Sequence, residues 1–316
     1  MFNKIHALFA FPAFDLELPA WSTDEVRLTS LLLAFACLFA IEAKFGLRQE
    51  GNRVIRRSYL TNTGLFLLND TLLSLVSVSS LFLIADRFAA WGLLGTLDDS
   101  PLKCVLAFVL LDLALYLWHR ACHHFEVLWM LHKVHHSDRC MNVSTGLRLH
   151  LGELLLTTLL KALFIVVLGV DSAVVLANEA IMTLFVLFHH SNTRFAGESW
   201  LGRFIVTPSM HRIHHSTRRD EHDRNFGAVF SGWDRWFGTF AHQEPEKLGL
   251  KFVKEQGIVE LMKFGFTWHY TPSQQTVRAM IAEAAYYRAE KRGFAPGSDY
   301  LDWLEAEREI AQAGGG

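Results

Sequence analysis

Long runs of apolar residues alternate with short polar stretches over roughly the first 190 positions of the chain. Five runs approach or exceed the length of a membrane-spanning helix, about 20 residues; they lie at 28–47, 60–84, 102–118, 154–170 and 172–188. The last two are short and are joined around the sequence GVDS, so they are predicted to form a hairpin that either spans the bilayer thinly or re-enters it. The pattern therefore predicts an all-α protein, an integral membrane helical bundle.

The pattern changes after about residue 241, where no further run is long enough to span a membrane. Apolar positions there recur at helical spacing: Val277, Met280, Ile281, Ala284 and Ala285. Gly293 is a helix stop signal, and a second helix is predicted to start near Ser298 or Asp299. We therefore divide the chain into a membrane domain, residues 1–242, and a C-terminal helical segment, residues 243–316.

Basic residues predict the orientation of the bundle. The loop after the first run contains Arg48, Arg53, Arg56 and Arg57, whereas the segment before that run contains four acidic residues. Because basic loops stay in the cytoplasm, the first span is predicted to run from outside to inside. Counting five spans onward, residues 119–150 and everything after about 189 face the cytoplasm, as a cap on the bundle.

Composition fits a membrane enzyme with a substantial aqueous part: hydrophobic residues make up 51% of the chain and charged residues 20%. The net charge of -2 gives no basic surface for nucleic acid, which we exclude as a partner. The cysteines show no CxxC spacing and are expected to be reduced thiols. The N-terminal segment has no clear small-residue cleavage site and is not predicted to be a signal peptide.

Histidine is concentrated in one part of the chain, where 13 of the 16 histidines lie between positions 119 and 222. They occur in the motifs HRACHH, HKVHH, LRLH, FHHSN and MHRIHH. Spacings of three and four place side chains on one helical face with Cβ atoms about 5 to 6 Å apart, a chelating distance for imidazoles. In HxxHH the imidazoles at i and i+4 can share one metal while the one at i+3 reaches a second. The repeated motif therefore predicts two neighbouring ions.

Isolated histidines carry less information, since a single imidazole has many uses. His6, His124, His242 and His269 are therefore not assigned to the site. Three further positions stay open: His150 as a ligand, His189 as a weaker candidate than its neighbour His190, and His222 as a residue beside the ligands or at the surface.

The sequence around the motifs predicts how they are supported. One helical stripe leads into the first motif: Asp112, Tyr116, His119 and His123. An aspartate within a span is costly and usually paired, so Asp112 is predicted to accept a hydrogen bond from a ligand imidazole and to fix its tautomer. Before the last motif, Thr207 is predicted to cap a helix in which Pro208 occupies the first position.

The number of histidines favours iron over zinc. Imidazole suits zinc, iron, copper and nickel, but zinc sites normally close with four ligands, and nine or ten histidines exceed one such site. Zinc hydrolysis of the HExxH kind would also need a glutamate between the ligands, where this chain has Lys133, Val134, Arg212 and Ile213. Two redox-active irons that activate O2 for attack on an unactivated C–H bond fit better, although zinc can replace iron in recombinant material.

The motifs, in their order, resemble the membrane fatty acid hydroxylase and sterol desaturase superfamily over about residues 105–242. The resemblance rests on DLALYLWHRACHH, LWMLHKVHHSD, MNVSTGLRLH, HHSN, TPSMHRIHHS and NFGAVFSGWDRWFGTF. It implies a diiron centre at the cytoplasmic face that oxidises a membrane lipid with O2 and electrons from a redox partner. We expect a donor of cytochrome b or ferredoxin type.

Matching positions imply the ligands: His119, His123, His132, His135, His136, His190, His211, His214 and His215, with His150 added by the RLH match. The resemblance also implies that Asp234 and Arg235 brace the histidine helices, and we place Asn225 and Tyr116 beside the ligands. Some members have a further histidine four positions before HHS, where this chain has Phe185 or Val186. The ligand count therefore stays open.

The C-terminal stretch IAEAAYYRAEKRGFAPGSDYLDWLEAE separately resembles a small bacterial domain of unknown function. It implies a bacterial source, and hence the inner membrane. The leading hypothesis for the chain is a lipid hydroxylase, with desaturation as the close variant. A metal or haem transporter and a metal-stabilised scaffold remain as hypotheses of a different class.

Overall fold

A computed structural model of the chain describes residues 23–47, 50–75, 81–95, 97, 101–251, 253, 255–267 and 274–313. Every named element in these ranges is a helix, which confirms the all-α class. The elements up to the last apolar run are α1 (Thr23–Phe45), α2 (Asn52–Leu75), α3 (Leu81–Phe88), α4 (Pro101–His124), α5 (Glu126–His136), a 3-10 helix (Val143–Leu147), α6 (Leu151–Leu168) and α7 (Ser172–His190).

Shorter helices follow: α8 (Glu198–Leu201), α9 (Pro208–His214), α10 (Arg219–His222), α11 (Gly232–Trp236) and α12 (Ile258–Phe264), and then the longer α13 (Gln274–Lys291) and α14 (Asp299–Ala313). As predicted, a helix begins at Pro208 with Thr207 at its N-cap, but the Thr207 side chain makes no capping bond. The Glu198 carboxylate accepts the Ser209 N–H instead, at 2.7 Å.

Three helices in the described part of the chain are long and apolar enough to cross a membrane: α4, α6 and α7. They coincide with the spans predicted at 102–118, 154–170 and 172–188. The run at 28–47 falls on α1. The run at 60–84 falls on α2 and α3, with residues 76–80 outside the described residues. The count of five spans therefore stays a prediction.

Apolar packing joins the long helices into one bundle. One buried cluster combines side chains of α3, α4, α6 and α7, including Phe82, Ala107 and Ile165. Helix α1 packs along α7. Because α6 and α7 run in opposite directions, the start of α6 and the end of α7 lie at the same end of the bundle as the end of α4. The side chains at these helix ends are thus brought close together.

The C-terminal segment divides into two parts. The described residues between 247 and 267 pack on the membrane domain: Leu261 and Phe264 of α12 join Leu65 of α2 and Val134 of α5 in a buried cluster. Packing therefore continues past position 242, where the domain boundary was predicted. Beyond it, α13 and α14 pack against each other. Helix α13 ends at Lys291, just before Gly293, whose φ is 64°.

Candidate metal centre

The ends of α4, α5, α7 and α9 meet and bring nine histidines together. In the first group one ring nitrogen from each residue lies within 4.8 Å of all the others; the members are His119, His123, His132, His136 and His214. The second group, by the same measure, contains His135, His190, His211 and His215. These nine are the positions at which the family resemblance implied ligands, apart from His150.

Each HxxHH motif is divided between the two groups. In α5, His132 and His136 face the first group and His135 faces the second. In the motif of α9 the middle histidine faces the first group and the outer two face the second. The ring centroids of His136 and His215 are 4.6 Å apart, so the groups adjoin. The division follows from helix geometry, since positions i and i+4 share a face and i+3 is rotated away from it.

The donor atoms fit a bound cation. Nδ1 of His119 lies 2.9 Å from the Phe226 carbonyl oxygen and Nδ1 of His132 lies 2.6 Å from a Glu153 oxygen. Both Nδ1 atoms therefore carry the proton, which leaves each Nε2 with a lone pair in the neutral ring. Yet the two Nε2 atoms face each other at 3.1 Å. Two buried lone pairs at that distance repel unless a cation lies between them.

The second group shows the same arrangement. Nδ1 of His190 lies 2.6 Å from the Val186 carbonyl, so its Nε2 has a lone pair. That Nε2 is 3.0 Å from Nε2 of both His135 and His211. The described residues offer no hydrogen-bond partner to Nδ1 of His135, His211 or His215. Nine imidazoles without a carboxylate among them suit iron, zinc, copper or nickel and not magnesium or calcium.

Burial keeps five imidazoles neutral, two in α5 and three in the motif of α9. Loss of hydration, together with neighbouring imidazoles, holds the pKa of His135 and His136 well below the usual value. The same causes lower the pKa of His211, His214 and His215. A neutral imidazole is the form that binds metal, so the site is prepared for a cation before it arrives.

Two carboxylates that the sequence did not reveal orient ligand rings. Glu153, in the first turn of α6, is buried and accepts from His132. Asp223, after α10, lies 3.1 Å from Nδ1 of His123. Acceptors of this kind fix the tautomer and the ring plane of a metal-binding histidine. Neither lies in a histidine motif, and only the fold brings them to one.

Backbone carbonyls of the loop after α10 orient two more rings. Arg224 O lies 2.8 Å from Nδ1 of His214, and Phe226 O bonds to His119. Asn225 between them has a φ of 54° and ties the loop to α9 by donating to Met210 O at 2.9 Å. The Asp234 carboxylate accepts the Phe226 and Gly227 N–H groups. Asn225 and Asp234 thus brace this loop.

Asp112 and Tyr116 act on the same loop. The expected bond between Asp112 and an imidazole is not formed: its oxygens accept the Val229 and Phe230 N–H groups and the Trp233 indole N–H, at 2.8 to 3.0 Å. The Tyr116 hydroxyl bonds to Thr239 at 2.8 Å. Spacing alone placed both residues on the histidine stripe, but the loop lies against their part of α4.

The structure does not bring His150 to either group. Its Nδ1 accepts the Gly152 N–H at 3.1 Å, so His150 is the N-cap of α6. Its Nε2 lies 3.1 Å from the Met262 carbonyl. The ring therefore begins the helix that carries Glu153 and links it to α12.

Two other histidines lie beside the nine. His189 is buried with its ring centroid 4.1 Å from that of His211. His222 stacks on Trp129 with ring centroids 5.4 Å apart, and lies with His123 and Asp223 in a smaller group of potential ligands.

Fold and site together define a helical membrane protein with a buried, histidine-built candidate metal centre. Residues 104–239 match the family model described as fatty acid hydroxylase. This confirms the resemblance seen in the motifs. Residues 277–312 match a second family, a protein of unknown function designated DUF2934.

Curated relatives are lipid-modifying enzymes by name. The chain is 31% identical over 204 residues to alkylglycerol monooxygenase of Caenorhabditis elegans, covering 58% of this chain and 39% of the worm protein. It is 33% identical over 151 residues to an ornithine lipid hydroxylase of Rhizobium tropici, covering 47% and 45%. A Delta(7)-sterol 5(6)-desaturase of Gibberella zeae is 22% identical over 163 residues, covering 50% and 49%. The matched part thus spans less than half of each relative. No solved structure matches the chain.

Proposed function

We propose that the chain is a membrane-bound, iron-dependent oxidase that hydroxylates a lipid C–H bond with O2 and electrons from an external donor. The observation that carries the proposal is the pair of adjoining histidine groups whose Nε2 atoms face one another at 3.0 to 3.2 Å. Two irons, one per group, fit the donor set. Relatives named as lipid hydroxylases and a lipid desaturase support the reaction class.

Iron, when bound, supplies the reduction of O2 and the attack on the C–H bond; one oxygen atom enters the lipid and the other leaves as water. The chain's own residues prepare the site. The Glu153 and Asp223 carboxylates and the loop carbonyls hold protons on Nδ1 of four rings, which leaves the Nε2 lone pair of each to bind a metal: His119, His123, His132 and His214. Burial excludes water from the ligand rings, which are almost all less than a tenth exposed.

Further parts of the proposal come from the sequence. The arginine-rich loop after α1 supports a cytoplasmic location for the histidine groups and the C-terminus. The electron donor is then a cytoplasmic or membrane-facing protein of cytochrome b or ferredoxin type. The C-terminal segment supports a bacterial inner membrane as the location.

Desaturation is the second candidate, favoured by the sterol desaturase among the relatives. Hydrogen abstraction is common to both reactions, and the fate of the substrate radical distinguishes them. A transporter is disfavoured because the nine histidines gather at one end of α4 and α7, with no ligand series along the described part of those helices.

The deciding experiment compares membrane lipids by mass spectrometry from cells with the wild-type chain, with His135→Ala, and without the chain. Isotopically labelled O2 should enter one lipid class only with the wild type. A gain of one oxygen supports hydroxylation, and a loss of two hydrogens supports desaturation. Metal analysis should give close to two ions per chain, with zinc counted as a replacement for iron. A chain that moves metal without changing any lipid would favour the transporter.

A further inference from the structure

Two segments after α7 reach far along α4, away from the histidine groups. The Val229 and Phe230 N–H groups donate to Asp112, which lies seven residues before His119, or about 10 Å at 1.5 Å per residue. The Phe230 ring contacts Phe108, one more turn away, with centroids 5.8 Å apart. Ile205, Ala228 and Phe230 pack on a cluster that also contains Leu111 and Met182.

This part of α4, a helix long and apolar enough to cross a membrane, has an exposed apolar outer side. Val105, Leu110 and Leu117 are exposed, and Leu117 lies closer to the histidine groups than Asp112 does. The hydrocarbon layer that covers these side chains therefore extends past Asp112 towards the site. Segments packed on Asp112 and Phe108 lie at the same depth.

Irregular backbone at membrane depth requires that its polar groups be bonded within the protein. Here they are: the Val206 N–H donates to Val229 O at 2.8 Å and the Ser231 N–H to Phe204 O at 3.1 Å. Asp112 accepts two further N–H groups of the same stretch. The Asp112 carboxylate within the span and the N–H groups of the non-helical segment thus satisfy each other's hydrogen-bonding requirements.

Large aromatic side chains project from residues 200–206 and 226–237, and much of their surface is exposed. Trp236 is 78% exposed, and Trp200, Phe204 and Phe237 are also exposed. We call these four residues the aromatic shelf. Arg235 ties its two halves by donating to Gly202 O at 2.9 Å. Tryptophan and other aromatic rings are enriched where a membrane protein meets the lipid–water interface.

We propose that the aromatic shelf lies in the bilayer, so that residues 200–206 and 226–237 form a re-entrant membrane element and not part of an aqueous cap. Its occupant is lipid at the boundary of headgroups and acyl chains. Continuity with a membrane helix supports this: the Phe237 ring stacks on Tyr116 of α4 with centroids 5.3 Å apart. Exposed aromatic surface of this kind in water would favour aggregation.

The test uses tryptophan fluorescence of the full chain reconstituted in vesicles of ordinary or brominated phosphatidylcholine. The emission of Trp236 is obtained as the difference between the wild type and Trp236→Phe. We expect brominated lipid to remove about half or more of that difference, in line with an aromatic side chain at the interface. The matched control is Trp303→Phe in α14, whose difference emission should be unchanged by bromine.

Two outcomes overturn the proposal. Trp236 emission quenched by aqueous iodide and not by brominated lipid would place the shelf in water. Emission quenched by neither would mean that protein covers it, for example a second copy of the chain. Equal metal content in wild type and Trp236→Phe verifies folding. The readout requires no lipid oxidation, so its result is independent of the proposed function.

Discussion

The histidine region and the α13–α14 pair are both helical, yet different forces hold them. The first gathers nine imidazoles, seven of them buried, and a carboxylate or carbonyl oxygen bonds to Nδ1 of five of them. The second joins its helices through exposed ion pairs, Arg288 to Glu305 at 2.6 Å and to Glu309 at 2.9 Å, over a small apolar contact that includes Met280 and Ala306. The first region is therefore incomplete without a cation, whereas the second needs only its own side chains.

Removing one ligand from each group should have the largest effect. We expect His135→Ala and His214→Ala each to lower the metal content by about one ion per chain and to abolish lipid oxidation, because each opens a coordination position in a different group. His124→Ala is the control, since His124 is exposed and belongs to neither group. Metal analysis and labelled-O2 incorporation measure both. Full metal content in either variant would contradict the assignment.

Low pH should have the next largest effect, and it should destabilise the histidine region but not the α13–α14 pair. Imidazoles whose pKa is lowered by burial stabilise the folded state above the unfolded value of about 6.5, and that contribution is lost as the pH falls below it. We therefore expect metal release and faster hydrogen exchange in residues 126–136 and 208–214 at pH 5 relative to pH 7.5. The segment 274–313 contains no histidine and should exchange as before. Uniform loosening of both regions would contradict this contrast.

Weakening an acceptor should have a smaller effect than removing a ligand. Glu153→Gln preserves the shape of the side chain but replaces a carboxylate by a neutral amide opposite His132. We expect about a 10- to 100-fold loss of metal affinity, measured by competition with a chelator. The control is Glu126→Gln, on the exposed first turn of α5. Affinities equal to the wild type would show that Glu153 does not orient the ring.

Asp112→Asn should lower stability more than it lowers metal affinity. An amide can accept through one oxygen only, so at least one of the three donors that bond to Asp112 loses its acceptor. A buried unpaired donor costs about 1 to 3 kcal/mol. Thermal unfolding in detergent should show the loss, with a smaller one for Trp233→Phe, which removes a single donor. A loss of metal without a loss of stability would restore the direct role that the sequence predicted.

The smallest effect is expected in the C-terminal pair. Arg288→Ala removes two exposed ion pairs, which together should contribute about 1 kcal/mol or less. Hydrogen exchange in residues 274–313 should rise slightly while the metal content stays constant. A fall in metal content would mean that the two regions depend on each other.

Sequence periodicity was enough for the features that depend on neighbouring positions. The spacing in HKVHH and HRIHH predicted the division of each motif between two sites, because a helix turns by a fixed angle per residue. Three of the predicted spans and the helix boundaries near Pro208 and Asp299 follow from the same local rules. The family resemblance implied ten ligands, and nine of these positions meet in space, all except His150.

Contacts between residues that are far apart in the chain could not be predicted from the sequence. Glu153 reaches His132 across 21 positions and Asp223 reaches His123 across 100, and neither has a motif of its own. His150 was assigned as a ligand by its place in RLH, but a histidine that caps a helix cannot be distinguished by sequence from one that binds a metal. Asp112 shares a stripe with the histidines, and only the packed loop shows that it bonds elsewhere.

The division of each motif has a mechanical consequence. His135 and His136 are consecutive, as are His214 and His215. Each pair contributes one side chain to the first group and one to the second. The separation of the two groups is therefore fixed by covalent geometry, since consecutive Cα atoms are 3.8 Å apart. Thermal motion of the helices can open or close access to the centre without changing the distance between the two histidine groups. The backbone thus sets the distance between the two groups, and inserting a single residue within either motif would displace ligands of both groups.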